Sequence, residues 1–180
     1  MVNICKLKLT SLQQEILRLL FIKTGIKLNQ RQIANYLKVS QPAVMKALPG
    51  LEDLIKIKQS KETKRWSIKL NRDDHKTTQL KRVDNLKLIY ETGLADFLEK
   101  EFAGATIILF GSYSRGEDLI NSDIDVAVIG RKEKKIELTN YEKELERQIN
   151  INFYDSFKKI HKNLKENLCN GIVLVGGFEL

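Results

Sequence analysis

The feature that most constrains this chain is a largely apolar run at 105–110 (ATIILF) that leads directly into Gly111 and Ser112. A short apolar run between polar segments is typical of a buried strand, and a glycine directly after it permits a tight turn. Backbone N–H groups and the Ser112 hydroxyl can then face an anion at the start of a helix. The stretch therefore predicts a strand that ends in a phosphate cradle.

About ten residues further on, Asp123 and Asp125 alternate with apolar residues in the run 122–130 (SDIDVAVIG). Residues two apart on a strand point to the same face, so both carboxylates are expected on one side of the sheet. Two carboxylates beside a phosphate cradle repel each other unless a cation lies between them. Mg²⁺ (or Mn²⁺) suits this position, since it combines carboxylates with substrate phosphates. Ser122 is predicted to bind phosphate or to cap the turn, and the cap is favoured.

The pattern of Gly111 and Ser112 followed by Asp123 and Asp125 resembles the DNA polymerase beta-like nucleotidyltransferase superfamily, in particular the minimal nucleotidyltransferases of bacteria and archaea. The resemblance covers roughly residues 79–180. It implies Mg²⁺-dependent attack of an acceptor hydroxyl on the α-phosphorus of a nucleoside triphosphate, with release of pyrophosphate. By the same resemblance, Gly111 and Ser112 hold the triphosphate, and Asp123 and Asp125 bind the metal. Arg115 is a further candidate for phosphate contact, because a guanidinium suits phosphoryl oxygens.

Asn150 departs from the family pattern. Members that catalyse transfer carry a third carboxylate on a neighbouring strand, and the alternating run 149–154 (ININFY) places Asn150 at that position. An amide offers a metal one neutral oxygen, but it has no charge and cannot act as a general base. Two hypotheses stay open. In one the protein transfers a nucleotidyl group, with acceptors that include a helical HEPN-type protein partner; in the other it binds nucleotide, DNA and a partner without transfer, as a regulator or antitoxin.

The charge of the chain is unevenly distributed. Residues 1–70 hold 14 Lys+Arg and 4 Asp+Glu, whereas residues 71–180 hold 17 and 19. A basic module of this size suits a polyanion such as a nucleic acid or a membrane surface. The asymmetry indicates two modules with different partners.

Residues 10–70 resemble a winged helix-turn-helix domain. Apolar residues at helical spacing predict three helices, with Asn29 and Ser40 as N-caps and Pro42 in the first turn of the third. Alternating runs at 55–58 and 66–70 predict a hairpin with a basic tip. In such domains the third helix enters the major groove of DNA and the wing contacts the backbone, often as a dimer, so we expect a homodimer. A role in packing alone is the alternative.

Carried over from that resemblance, the base-facing residues are Gln41 and Lys46, and the phosphate-facing residues are Lys56, Lys58, Lys61, Lys64 and Arg65.

We therefore predict a two-domain α+β or α/β fold: a winged helix-turn-helix at 1–70, a linker at 71–78, and a small mixed sheet flanked by helices at 79–180. The second domain is expected to open with one long helix reaching about residue 102. Its strands are predicted near 106–110, 124–129, 149–154 and 172–175, and its remaining helices near 113–118, 136–148 and 156–168.

Several classes of protein are disfavoured by the composition. No window approaches the ~18 consecutive apolar residues that a membrane-spanning helix needs, and the N-terminal residues lack the apolar run of a secretory signal. We therefore expect a cytoplasmic protein without a membrane partner. Two cysteines and two histidines, scattered along the chain, argue against a zinc site made of protein ligands alone.

Overall fold

A computed structural model describes residues 8–60 and 66–177 of the chain. The chain divides into two compact units between Thr77 and Thr78. This boundary lies within the first turn of a helix that runs from His75 to Glu91.

Three helices and a hairpin form the first unit. In chain order they are α1 (Ser11–Ile22), α2 (Gln30–Leu37), α3 (Gln41–Ala47), a 3-10 turn (Leu48–Leu51), β1 (Ile55–Gln59) and β2 (Trp66–Leu70). The strands β1 and β2 pair antiparallel, and an isolated bridge joins Leu28 to Ile68. This is the element order of a winged helix, as the sequence predicts.

The helix ends of the first unit follow from local side chains. The Asn29 side chain accepts a hydrogen bond from the Gln32 backbone N–H at the start of α2, and Ser40 accepts one from Ala43 at the start of α3. Such caps satisfy N–H groups that have no partner within the helix. Both predicted caps are confirmed. Pro49 lies in the 3-10 turn that ends α3, as expected for a residue without a backbone donor.

The second unit is a four-stranded sheet with helices. Its elements are α4 (His75–Glu91), α5 (Leu94–Glu101), β3 (Thr106–Phe110), α6 (Gly111–Arg115), β4 (Ile124–Ile129), α7 (Thr139–Leu145), β5 (Ile149–Tyr154), a 3-10 turn (Phe157–Lys159), α8 (Lys162–Cys169) and β6 (Ile172–Val175).

The sheet is mixed, with strand order β5-β4-β3-β6. Strand β3 pairs antiparallel with β4 and with β6, whereas β4 and β5 run parallel. The four predicted strands are confirmed, and so is the fold class.

The two faces of the sheet pack against different helices, because side chains alternate along each strand. Val126 and Val128 of β4 belong to a buried cluster that includes Leu94 and Leu98 of α5. Ala127 and Ile129 point the other way, into a smaller cluster with Leu168 of α8. Because Asp125 has the parity of Ala127, it lies on the α8 face.

Some predicted helices have different bounds in the structure. The single long helix predicted up to residue 102 is wrong: it breaks at Gly93, which has φ +74° and begins α5. Helix α4 begins at His75, inside the predicted linker at 71–78, because the Asp74 carboxylate accepts hydrogen bonds from the Thr77 backbone N–H and hydroxyl, both at 2.8 Å.

The later helices also differ from the prediction. The helix expected at 113–118 begins at Gly111 and ends at Arg115, and the one expected at 136–148 is limited to Thr139–Leu145. The helix expected at 156–168 is a 3-10 turn followed by α8, since Ser156 caps the turn and Ile160 has extended backbone angles. Among the described residues, no helix is long and apolar enough to cross a membrane.

Candidate nucleotide and metal site

Gly111 lies where β3 ends and α6 begins, in a left-handed backbone conformation with φ +74°. A Cβ built on this glycine would collide with Oδ2 of Asp125. Strand pairing explains the proximity, because Phe110 is the partner of Asp125 in the antiparallel register of β3 and β4. The backbone of the predicted phosphate cradle therefore touches one of the two predicted metal ligands.

Asp123, Asp125 and Asn150 lie together at one end of the sheet. Asp125 of β4 and Asn150 of β5 are partners in the parallel pairing. The Asn150 Nδ2 donates a hydrogen bond to Asp123 Oδ2 at 3.0 Å. The structure thus brings together on one face the two acids and the amide that the sequence singles out.

The acid pair is electrostatically strained. Burial raises the pKa of Asp125 above its ordinary value of 3.8, and the negative charge of Asp123 raises it further. Hydrogen bonding by Asn150 acts in the opposite direction, since it stabilises the charged form. A cation placed between the carboxylates would relieve both the repulsion and the cost of burial.

The residues at the acid pair fit a hard divalent cation. The two carboxylates offer oxygen ligands, which Mg²⁺ and Mn²⁺ prefer; the Asn150 amide, whose Nδ2 faces Asp123 in this structure, would have to rotate to offer its oxygen as well. Within residues 8–60 and 66–177, no group of three or more His, Cys, Asp or Glu could hold a metal ion. An ion at this site would therefore need oxygen ligands beyond the acids, such as the amide, water and substrate phosphates.

The turn after Gly111 is held by its own side chains. Ser114, which sequence reasoning missed, donates from its hydroxyl to the Gly111 carbonyl at 2.9 Å. Ser112 is half-buried in the first turn of α6. Ser122 accepts a hydrogen bond from the Leu119 backbone N–H at 2.9 Å, which closes the loop before Asp123. Arg115 forms an ion pair with Glu117 at 2.8 Å, so a phosphate would have to compete with that carboxylate.

An open cleft of about 490 Å³ borders Asp123. It lies between the loop before β4 and helix α7, and its lining includes Ser122, Asp123, Lys143, Glu146 and Arg147. The cleft gives a second molecule access to the Asp123 side of the site.

In the first unit, the predicted nucleic-acid contacts fall on two surfaces. Gln41 and Lys46 are exposed on α3. Lys56 and Lys58 lie on the hairpin, where Lys56 also forms an ion pair with Asp73. The predicted phosphate contacts Lys61, Lys64 and Arg65 lie outside the described residues.

Two further lysines, which sequence reasoning missed, lie beside those of the hairpin. Lys69 is the cross-strand partner of Lys56, and Lys27 lines the same groove as Lys56, Lys58 and Lys69. Strand parity could have identified Lys69, because it alternates with the buried Ile68 and Leu70. The position of Lys27 depends on the bridge between Leu28 and Ile68, which no local signal predicts.

Comparison with known families supports the assignment of the second unit. Residues 92–176 match the model of the family described as nucleotidyltransferase domain. The match runs through the glycine turn, the acid pair, Asn150 and all four strands of the sheet. Residues 92–176 are therefore similar to nucleotidyltransferase domains, and the resemblance drawn from Gly111, Ser112, Asp123 and Asp125 is confirmed for this part of the chain.

Solved structures of bacterial regulators are also similar to this chain. Staphylococcus aureus MepR in complex with DNA is 23% identical, with 53% of this chain and 79% of that chain covered at a TM-score of 0.39. The adhesin competence repressor of Streptococcus pyogenes is 22% identical, with 57% and 72% covered at 0.42. Lactococcus lactis ZitR is 25% identical, with 57% and 68% covered at 0.41.

At these TM-scores the likeness carries no argument, and the winged helix rests on its own helices and hairpin. No curated protein matches the chain.

Proposed function

We propose that the second unit binds a nucleoside triphosphate together with Mg²⁺ and transfers its nucleotidyl group to a hydroxyl acceptor. The convergence of Gly111, Asp123 and Asp125 is the observation that supports this most strongly. A site that holds two repelling carboxylates against a glycine backbone is poorly suited to structural stability and well suited to a cation bound to phosphates.

In this proposal the residues have separate roles. The backbone at Gly111 and the hydroxyl of Ser112 hold the triphosphate, and Arg115 contributes a charge once it leaves Glu117. Asp123 and Asp125 hold the cation, which would supply charge neutralisation at the transferring phosphoryl group. The acceptor enters through the cleft beside Asp123. Its oxygen forms a bond to the α-phosphorus and loses its proton to water in the cleft, while the bond from the α-phosphorus to the bridging oxygen breaks and pyrophosphate leaves with that electron pair.

The second candidate function is binding without transfer. It is favoured by Asn150, which by the resemblance stands at the position of the third carboxylate, and whose Nδ2 donates a hydrogen bond to Asp123. In this form the hydrogen bond from the amide offsets part of the repulsion that a cation would otherwise relieve, and the site lacks the third carboxylate of family members that catalyse transfer. The protein would then act as a regulator that responds to whether a nucleotide is bound at this site.

We further propose that the first unit binds DNA. The support is the groove on the hairpin that contains Lys27, Lys56, Lys58 and Lys69. Four cations on one surface favour a polyanion, and phosphate contacts of this kind supply most sequence-independent affinity. A homodimer and a HEPN-type protein acceptor stay predictions of the sequence resemblance.

A transfer assay distinguishes the two candidate functions of the second unit. The protein is incubated with each α-labelled nucleoside triphosphate and Mg²⁺ or Mn²⁺ in extract from the source organism. Label on a macromolecule that is lost in Asp125→Asn supports transfer, and the matched variant Asp155→Asn, an exposed acid at the far end of β5, should retain it. If the wild type transfers no label and Asn150→Asp does, the result supports binding without transfer.

A further inference from the structure

A charged cluster is buried beneath the loop that joins the glycine turn to the acid pair. Asp118 is 1% exposed, as is Lys81 of α4, and Arg147 is 6% exposed. The Lys81 Nζ lies 2.8 Å from Asp118 Oδ1, and the Arg147 Nη2 lies 3.4 Å from Asp118 Oδ2. A single buried carboxylate thus binds one cation from a helix and another from the segment before β5.

Asn85 extends this cluster to the glycine turn. Its Nδ2 donates to Asp118 Oδ1 at 2.8 Å and to the backbone carbonyl of Tyr113 at 2.9 Å. Tyr113 is the residue after Ser112. The amide of Asn85 therefore connects the end of the phosphate cradle to the loop that leads into β4.

The three segments that meet at Asp118 each bear one part of the nucleotide site. Asp118 itself precedes Asp123 in the same loop, Arg147 precedes Asn150 at the start of β5, and Tyr113 follows Ser112. None of these connections depends on the pairing of the strands. The cluster therefore adds a second set of restraints between the cradle and the acids.

The backbone of the loop is also pressed against α4. A Cβ on Gly116, whose φ is +73°, would lie 2.5 Å from the Thr78 carbonyl oxygen and 2.7 Å from the Arg82 nitrogen. Backbone atoms at these distances cannot move aside as a flexible side chain would. The loop is therefore packed against α4 at Gly116, and two residues later Asp118 forms an ion pair with Lys81 of the same helix.

Burying these charges is costly for stability, because each loses its hydration and the attraction between partners often only balances that loss. Apolar side chains of similar volume would fill the same space without this cost. The cluster is therefore better explained by the positions that it fixes than by the stability that it adds.

We propose that Asp118 is the positioning residue of the nucleotide site, with Lys81, Asn85 and Arg147 as the partners that fix it. The inference rests on the proposed binding of a nucleoside triphosphate and Mg²⁺. Because Asp118 is 1% exposed, its proposed role involves no direct contact with nucleotide or cation. It sets the distance between the backbone at Gly111 and the carboxylates of Asp123 and Asp125, and its loss separates the two halves of the site.

The test replaces the charged cluster with apolar side chains of similar size, in Lys81→Met/Asp118→Leu/Arg147→Met. Dissociation constants for the four nucleoside triphosphates with Mg²⁺ are measured by equilibrium dialysis, and folding is followed by circular dichroism and thermal melting. We expect a folded variant whose Kd for the nucleotide that the wild type binds rises at least tenfold. A folded variant with a Kd within twofold of the wild type would overturn the proposal.

A milder variant covers the case in which the triple variant does not fold. Asn85→Ala removes only the connection between Tyr113 and Asp118, and we expect its Kd to rise about fivefold. Leu98→Val, a core substitution on α5 away from the loop, controls for loss of stability alone. If Asn85→Ala binds as tightly as the wild type, or if Leu98→Val weakens binding equally, positioning is refuted.

The failure of the proposed function gives a different result. In that case the wild type binds none of the four nucleotides, whatever the cluster contains. Wild-type binding that persists unchanged in the variants refutes the positioning role and leaves the nucleotide site in place.

Discussion

The side-chain amide of Asn150 donates a hydrogen bond to Asp123 at 3.0 Å, while its backbone pairs with Asp125 on the neighbouring parallel strand. By the resemblance, residue 150 is the position of a third metal-binding carboxylate, and Asn150 offers the acid pair a hydrogen bond there instead of a negative charge. We propose that the identity of residue 150 decides between transfer and binding alone.

Replacing this amide with a carboxylate should increase transfer. In Asn150→Asp, a third negative charge adjoins Asp123 and Asp125, so affinity for Mg²⁺ should rise by about tenfold or more, the scale on which metal-site side chains act. The measurement is label transfer as a function of Mg²⁺ concentration. The control is Asn152→Asp, which adds the same charge two residues further along the same face of β5. Equal gains in both variants would show that residue 150 has no special role.

The raised pKa of Asp125 predicts a gain in stability when its charge is removed. Because the folded pKa lies above the ordinary value of 3.8, the charged form is disfavoured in the folded state, and stability is lost as pH rises through the interval between the two values. Asp125→Asn should therefore melt at a higher temperature than the wild type in EDTA at neutral pH.

The pH and metal dependence of that difference provide the controls. Well below pH 3.8 the wild-type carboxyl is protonated in both the folded and the unfolded state, so the two proteins should melt at similar temperatures. Added Mg²⁺ should raise the melting temperature of the wild type more than that of Asp125→Asn. A variant that is less stable than the wild type at neutral pH without metal would contradict the electrostatic account of the acid pair.

Alanine variants of two glycines with the same φ angle distinguish the effect of backbone strain from the loss of nucleotide binding. Gly111 and Gly93 both have φ +74°, but only at Gly111 would a Cβ meet a side chain, that of Asp125. Gly93→Ala should lose about 1–2 kcal/mol of stability, the cost of a left-handed conformation for a residue with a Cβ, and Gly111→Ala should lose more because its Cβ would also collide with Asp125. Only Gly111→Ala should lose Mg²⁺-dependent nucleotide binding, as measured by dialysis. Equal binding by the two variants would refute contact between the cradle and the acid pair.

The lysines of the hairpin predict a salt-dependent affinity for DNA. Lys58→Ala and Lys69→Ala should each weaken binding to duplex DNA of any sequence and reduce the slope of log K against log salt by about one. Fluorescence anisotropy at several salt concentrations measures both quantities. Lys162→Ala, an exposed lysine on α8, should leave the slope unchanged. If the slope of log K against log salt is unchanged in the hairpin variants, the hairpin does not contact DNA.

The sequence predicts well what depends on neighbouring residues. The strand before Gly111 and the caps Asn29 and Ser40 follow from apolar runs and side chains that bind their own backbone. The position of Asn150 follows from strand parity, which needs no knowledge of the rest of the chain.

The features that the sequence does not reveal depend on distant partners. Lys81 lies within a helix that also carries many exposed or half-buried polar residues, and its sequence neighbours do not indicate that it is 1% exposed and bound to Asp118. The break at Gly93 likewise depends on packing, since Leu94 and Leu98 turn into the core of the second unit. Local periodicity fits one long helix just as well.

The proposed site at Gly111, Asp123 and Asp125 can be tested by measuring nucleotide binding itself. Equilibrium dialysis of the four α-labelled nucleoside triphosphates with Mg²⁺ compares the wild type with Asp123→Asn/Asp125→Asn, and Asp155→Asn serves as the control. We expect the wild type and Asp155→Asn to bind one nucleotide per chain, and we expect EDTA or the double substitution to abolish binding. Binding that survives the double substitution, or no binding by the wild type to any of the four, would contradict it.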